Sequence, residues 1–177
     1  MRVAMLGLFA SLALLSSPAA AQTADPLAPA REGRLQCFEP NVAAKTCQSI
    51  SAYTFQPNGV IDNPAQVLIM PSPVIIMNIN SPVTIRNSAV CGPLAAADIQ
   101  RATFTIDGAA ASETDTAAIR NELTQQLAPM IGQETCLTLT PDGAGFRADT
   151  TIAGAPQPQQ TQHVIWVSAN DGYRIAP

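Results

Sequence analysis

The side chains of this chain that could do chemistry are four cysteines, one histidine, thirteen scattered acids and a few methionines. Cys37, Cys47, Cys91 and Cys136 are the most informative. A redox pair needs C-x-x-C and covalent haem attachment needs C-x-x-C-H, and neither occurs. A structural zinc site needs closely spaced Cys/His pairs, whereas the sole histidine, His163, is remote from every cysteine. An even cysteine count then reads as two disulfides, formed in an oxidising compartment. "TCQSISAYTFQPNG" (46–59) and "TCLTLTPDG" (135–143) share T-C-x-[ST]-[IL]-[ST]. If Cys47 and Cys136 hold equivalent places, each pairs with the cysteine upstream of it. The favoured pairing is Cys37–Cys47 and Cys91–Cys136, each bridge contributing about 2–4 kcal/mol.

Nucleophilic catalysis needs a base held beside the nucleophile. His163 lies in "HVIWV", an alternating strand-like stretch, and G-x-S-x-G, S-x-x-K and H-E-x-x-H are all absent. Asp107, Asp142 and Asp171 each precede glycine, where turn geometry accounts for an aspartate. A carboxylate-dependent hydrolase would require distant acids such as Glu134, Asp149 and Asp171 to converge on one cleft. No calcium-binding loop or phosphate-cradling glycine motif occurs. Met70 and Met77 lie within an apolar run and read as core filler rather than metal ligands. No catalytic residue, metal or cofactor is assigned from the sequence.

Elements must position whatever function remains. Residues 1–21 read as an export leader: Met1-Arg2, an uncharged apolar run to Leu15, then Ala19 and Ala21 in the A-x-A positions. Residues 22–34 are small, polar and proline-bearing, and read as a flexible terminus. Residues 35–177 are expected to form a single α+β domain: an antiparallel sheet built from hairpins, packed against one main helix and stapled by disulfides. Turn signals at Asn58-Gly59, Asp142-Gly143 and Asn170-Asp171-Gly172 lie between strand-like runs. The third would place Trp166 and Tyr173 on paired strands. Ile119, Leu123 and Leu127 recur every four positions, predicting a helix from Asp115 to about Met130 with Thr114 as its cap. A shorter helix is expected over 93–102, with Pro93 in its first turn. Pro71, Pro73 and Pro82 interrupt the apolar 67–85 region, which suits an edge rather than a central strand.

The formal net charge is −4 and only 12% of residues are charged, against 47% hydrophobic. That balance excludes a nucleic-acid footprint and extended disorder, and no segment beyond the leader is apolar for long enough to span a membrane. Abundant alanine and a single lysine suggest a high-GC Gram-negative source, hence periplasm or secretion. The expectation is an exported, non-enzymatic binding or inhibitor-like domain whose partner is an envelope protein or cell-envelope polymer. Met70, Val74, Ile76, Trp166 and Tyr173 are its candidate partner surface. Two alternatives remain: the carboxylate hydrolase, and a carrier of a small hydrophobic ligand, which would require an enclosed apolar cavity.

Overall fold

The computed structural model describes residues 25–177, so the expected leader lies outside the described residues. A short helix, α1 (Ala28–Arg31), precedes β1 (Leu35–Phe38), β2 (Thr46–Cys47), β3 (Ser49–Ser51), β4 (Thr54–Phe55), β5 (Ile61–Asp62), β6 (Pro64–Pro71) and β7 (Val74–Asn80). Next come β8 (Thr84–Arg86), β9 (Ala89–Pro93), α2 (Ala96–Arg101), β10 (Thr103–Ile106), β11 (Ala109–Ala110) and α3 (Glu113–Gln126). The chain ends with β12 (Glu134–Asp142), β13 (Gly145–Ile152), β14 (Ala155–Pro156), β15 (Gln162–Val167) and β16 (Arg174–Ile175).

Twelve strands form one sheet, ordered β11-β10-β7-β6-β3-β1-β15-β13-β12-β9-β8, with β14 beside β13. Every pairing in it is antiparallel. The protein is therefore mostly antiparallel sheet with three helices and two disulfides, rather than a balanced α+β domain. The helices are the lesser part because even α3 buries none of its residues fully.

Connection lengths show that this sheet coils. β7 and β8 are eight strand spacings apart in the order, roughly 38 Å if the sheet were flat. The three residues between Asn80 and Thr84 reach at most about 14 Å. Only a sheet curled on itself brings the end of β7 to the start of β8. Ile61 and Val83, paired by a backbone bridge, help to close the gap.

Strand alternation sorts the side chains onto two faces. Phe38, Ala148 and Val164 form a buried cluster on the inner face, joined there by Leu137. Farther along this face, Ile75, Met77 and Phe104 form a second cluster, with Ile119 and Leu123 of α3 lying against it. The outer face carries Cys37, Val167, Leu68 and Ile76, covered by a two-stranded parallel ribbon of β2 and β16.

Several expected elements take a different form. α3 starts at Glu113, and its cap is Ser112, whose hydroxyl accepts the Asp115 backbone N–H at 3.1 Å, not Thr114. The helix stops at Gln126 rather than near Met130, since Pro129 disfavours helical geometry in the residue before it. Pro93 ends β9 and takes no part in α2. The Asn58-Gly59 and Asp142-Gly143 turns do join paired strands, β4 to β5 and β12 to β13. The third turn makes no hairpin. The Asp171 carboxylate accepts the Ser168 backbone N–H at 2.7 Å, closing a capping box on a single 3-10 turn. The chain then leaves β15 behind and pairs β16 parallel to β2.

Most of the expected edge region is interior, with β6 between β7 and β3 and β7 between β6 and β10, whereas Thr84 and Ile85 lie on β8, the last strand in the order. Pro71 and Pro73 sit at the β6–β7 hairpin tip, where no ladder hydrogen bond is needed from them. The N-terminal segment expected to be flexible is folded from Asp25 onward. Leu27 there is 0% exposed and packs with Ala30, Ile61 and Val90.

Candidate functional site

The inner face holds a cavity of about 330 Å³. Its sheet wall comes from Phe38, Ser51, Val90, Leu137, Thr150 and Gln162, on six different strands. Register explains how residues so distant in sequence meet. Phe38 is opposite Val164 and Ser49, Gln36 is opposite Trp166 and Ser51, and Leu137 is opposite Val90 and Thr150. Loops and chain crossings supply the cover, with Tyr53, Asn63, Val83, Leu94 and Met130 facing the sheet wall. Gly92 allows this closure: a Cβ there would lie 2.6 Å from the Pro82 carbonyl oxygen.

Tyr53 organises one end of the cavity. Its hydroxyl donates to Gln36 Oε1, and its ring lies 6.2 Å from the Trp166 ring at a tilt of 51°. Burial pushes the Tyr53 hydroxyl pKa well above its ordinary value of 10.0. Trp166 and Tyr53 also pack on the cluster that holds Leu27 and Ala30, so α1 stoppers this end. Arg31 of α1 lies over the Phe55 ring, 3.8 Å from its centroid. Burial pushes the Asp25 carboxyl up. The Arg31 guanidinium at 2.6 Å, the Leu27 backbone N–H at 2.9 Å and the Arg31 charge together outweigh that and hold it below 3.8.

Polar satisfaction singles out this region. Among the described residues, four buried side-chain atoms have no protein partner: Gln36 Nε2, Trp166 Nε1 and Thr135 Oγ1 on the sheet, and Arg120 Nε on α3. Gln36 is 0% exposed, and its amide oxygen is taken by Tyr53, so its NH₂ group is left to donate elsewhere. Thr135 is part of the cavity wall itself. Leaving such a group unpaired costs about 1–3 kcal/mol, which sets the three atoms on the inner face of the sheet apart.

The candidate partner residues do not form one surface. Met70, 42% exposed, stands near the hairpin tip beside α3, and Val74 is half-buried at the same tip. Ile76 and Tyr173 pack under the outer-face ribbon, while Trp166 faces inward. Trp166 and Tyr173 are thus on opposite faces rather than cross-strand neighbours.

The cysteines form two bridges, Cys37–Cys47 and Cys91–Cys136, with Cα separations of 5.6 and 4.1 Å. The T-C echo is not a structural repeat, however. Cys47 lies in the small parallel ribbon, and Cys136 lies in the large sheet directly opposite Cys91. Cys91, Glu134 and Cys136 cluster within metal-binding distance, but both sulfurs are consumed by the bridge. Glu134 pairs with Arg86, Asp149 with Arg147 at 3.0 Å, and Asp171 closes its own turn. These acids occupy separate places and none lines the cavity. His163 is exposed, opposite Arg147 on β13.

Gln36, Tyr53 and Thr135 were not singled out by sequence patterns. One trace existed for the first: in "LQCF" a glutamine alternates with apolar residues ahead of a cysteine. No family model, curated protein or solved structure matches the chain.

Proposed function

We propose that this protein is an exported, non-enzymatic binding domain that holds a small, mostly apolar molecule inside its coiled sheet. One observation carries this reading: the inner face lines a partly open cavity whose wall is largely apolar and carries no charged side chain. Its volume falls at the small end of the range typical of ligand sites. Two disulfides, the leader pattern of residues 1–21 and the absence of any described helix able to cross a membrane support export to the periplasm or beyond. A partner strand adding to β6 or β7 is not part of the proposal, since both strands already have two neighbours.

The test is native mass spectrometry of the full chain exported by its own leader, alongside a Leu137→Trp variant that fills the cavity. The expected result is one stoichiometric small-molecule adduct on the natural protein, lost on denaturation and missing from the variant. A bare mass for both proteins, each oxidised and folded, would sink the reading.

A further inference from the structure

The partly open cavity does not stand alone. A second hollow, of about 430 Å³, shares Thr150, Gln160 and Gln162 with it, so the two meet at these side chains. The chemistry changes abruptly across that boundary. Phe38 ends β1 in the cavity's apolar wall, and Glu39, the next residue, lines the second hollow. Gln48, Gln159 and Thr161 complete the second lining, which is polar throughout.

These groups are held in place and keep hydrogen-bonding capacity to spare. Glu39 donates its backbone N–H to the His163 carbonyl at 2.8 Å and accepts the His163 N–H on Oε1 at 2.7 Å. That fixes the carboxylate and leaves its second oxygen to accept. Gln159 donates Nε2 to Gln157 at 2.8 Å and keeps its amide oxygen, while Thr161 donates its hydroxyl to Asp149 at 3.3 Å and keeps a lone pair. Gln48 is exposed and seated by its backbone N–H on the Phe38 carbonyl at 3.0 Å, and its carboxamide offers both a donor and an acceptor. Glu39 is the one charged residue lining either hollow.

A molecule with a hydrocarbon end and a hydroxyl-bearing end satisfies both linings. Its hydrocarbon leaves water for the apolar wall, and its hydroxyls, each a donor and an acceptor, match the carboxamides, the threonine and the carboxylate. An anionic head would meet the Glu39 carboxylate with no cation in either lining. A quaternary cation would meet Glu39 but could donate no hydrogen bond to the other acceptors.

We infer that the two hollows form one site for a neutral amphiphile. The cavity takes the hydrocarbon tail, and the hollow at Glu39, Gln48, Gln159 and Thr161 takes a head group with several hydroxyls, as on a sugar or polyol. This inference rests on the binding reading above and adds the chemical class of the ligand and the place where its polar end is held.

The experiment titrates the full, oxidised chain by calorimetry with octyl glucoside, octyl sulfate and octyltrimethylammonium, each below its micelle-forming concentration. Glucose alone is the fourth titrant. The glucoside should bind saturably at one site, about tenfold tighter than the sulfate and about fivefold tighter than the ammonium, and glucose should show no binding. Gln48→Ala/Gln159→Ala alters exposed side chains only, so this double variant should keep the natural melting temperature while reducing the glucoside's advantage about fivefold. Leu137→Trp, which fills the cavity, should weaken the glucoside about tenfold or more; the double variant carries the test if Leu137→Trp does not fold. Equal affinities for the three octyl compounds, tightest binding of a charged one, or an unchanged advantage in the double variant would each overturn this inference and leave the cavity reading standing. Undiminished glucoside binding by folded Leu137→Trp would place the tail outside the cavity and overturn it too. Failure of every octyl compound to bind overturns this inference alone if the native mass carries an adduct, and both readings if that mass is bare.

Discussion

Tyr53 is fixed twice, by its hydroxyl on Gln36 and by its ring beside Trp166. Replacing it by phenylalanine keeps the ring and strands the buried Gln36 oxygen, at an expected cost of about 1–3 kcal/mol near neutral pH. The pH dependence follows from the raised pKa. The unfolded chain's tyrosine ionises around 10, whereas the folded one keeps its proton to higher pH. The native state then binds more protons than the unfolded state, and Tyr53 withdraws stability as pH rises beyond that value. Urea midpoints measured between about pH 9 and about pH 11 should fall more steeply for the natural protein than for Tyr53→Phe. Parallel slopes would show that the Tyr53 phenol is not sealed from solvent. At this scale little was legible beforehand. Gln36, Tyr53 and Thr135 are ordinary residues in sequence; burial leaves Gln36 Nε2 and Thr135 Oγ1 unpaired and fixes Tyr53 against Gln36 and Trp166.

At the scale of elements, α1 shows how composition can mislead. Residues 22–34 are small, polar and rich in proline, yet Leu27 is the one large apolar side chain there and is wholly buried. A single anchor, with Arg31 lying over Phe55, is enough to dock a four-residue helix. Leu27→Ala should destabilise the domain by about 3 kcal/mol in a urea titration. An effect below about 1 kcal/mol would mean that α1 is peripheral. The elements that were legible are those governed by local rules. The Asn58-Gly59 and Asp142-Gly143 turns place glycines at φ values of +83° and +56°, where other residues are strained. The four-residue spacing of Ile119 and Leu123 located most of α3. Asn170-Asp171-Gly172 obeyed the same local rules but sits where Ser168 caps a 3-10 turn, and Lys45 Nζ donates to the Asp171 carbonyl at 2.8 Å. Contacts from a distant segment, invisible to a local pattern, turned that hairpin into a departure.

For the whole molecule, the decisive constraint is topological. β9 and β10 are consecutive in sequence but eight strand positions apart in the sheet, joined by a segment containing only α2. β11 and β12 are equally far apart, joined through α3. The Cys91–Cys136 bridge ties β9 to β12, closing a 45-residue excursion that contains both of these crossings. Cys37–Cys47 closes only 10 residues and holds the ribbon on the outer face. Loop-closure entropy predicts the larger loss from a Cys91→Ala/Cys136→Ala double variant, about 2–4 kcal/mol, with a smaller loss from the Cys37/Cys47 equivalent. Chemical denaturation of the two double variants compares them directly, and the opposite order would show that the ribbon, not the long excursion, is the weaker point of the fold.

The sequence by itself determined the local and the compositional: paired thiols in a chain with an export-leader pattern, strand runs with their turn glycines, one amphipathic helix, and no catalytic or phosphate-binding motif. These depend on neighbours a few residues apart, where spacing alone carries the physics. Only the tertiary structure decided which strands lie side by side. That choice made β6 and β7 interior, sent Trp166 and Tyr173 to opposite faces, and formed a cavity beside Tyr53. Strand order is set by how a coiled sheet buries its apolar faces and closes its short connections together. That global balance of burial against chain reach has no counterpart in any stretch of ten residues.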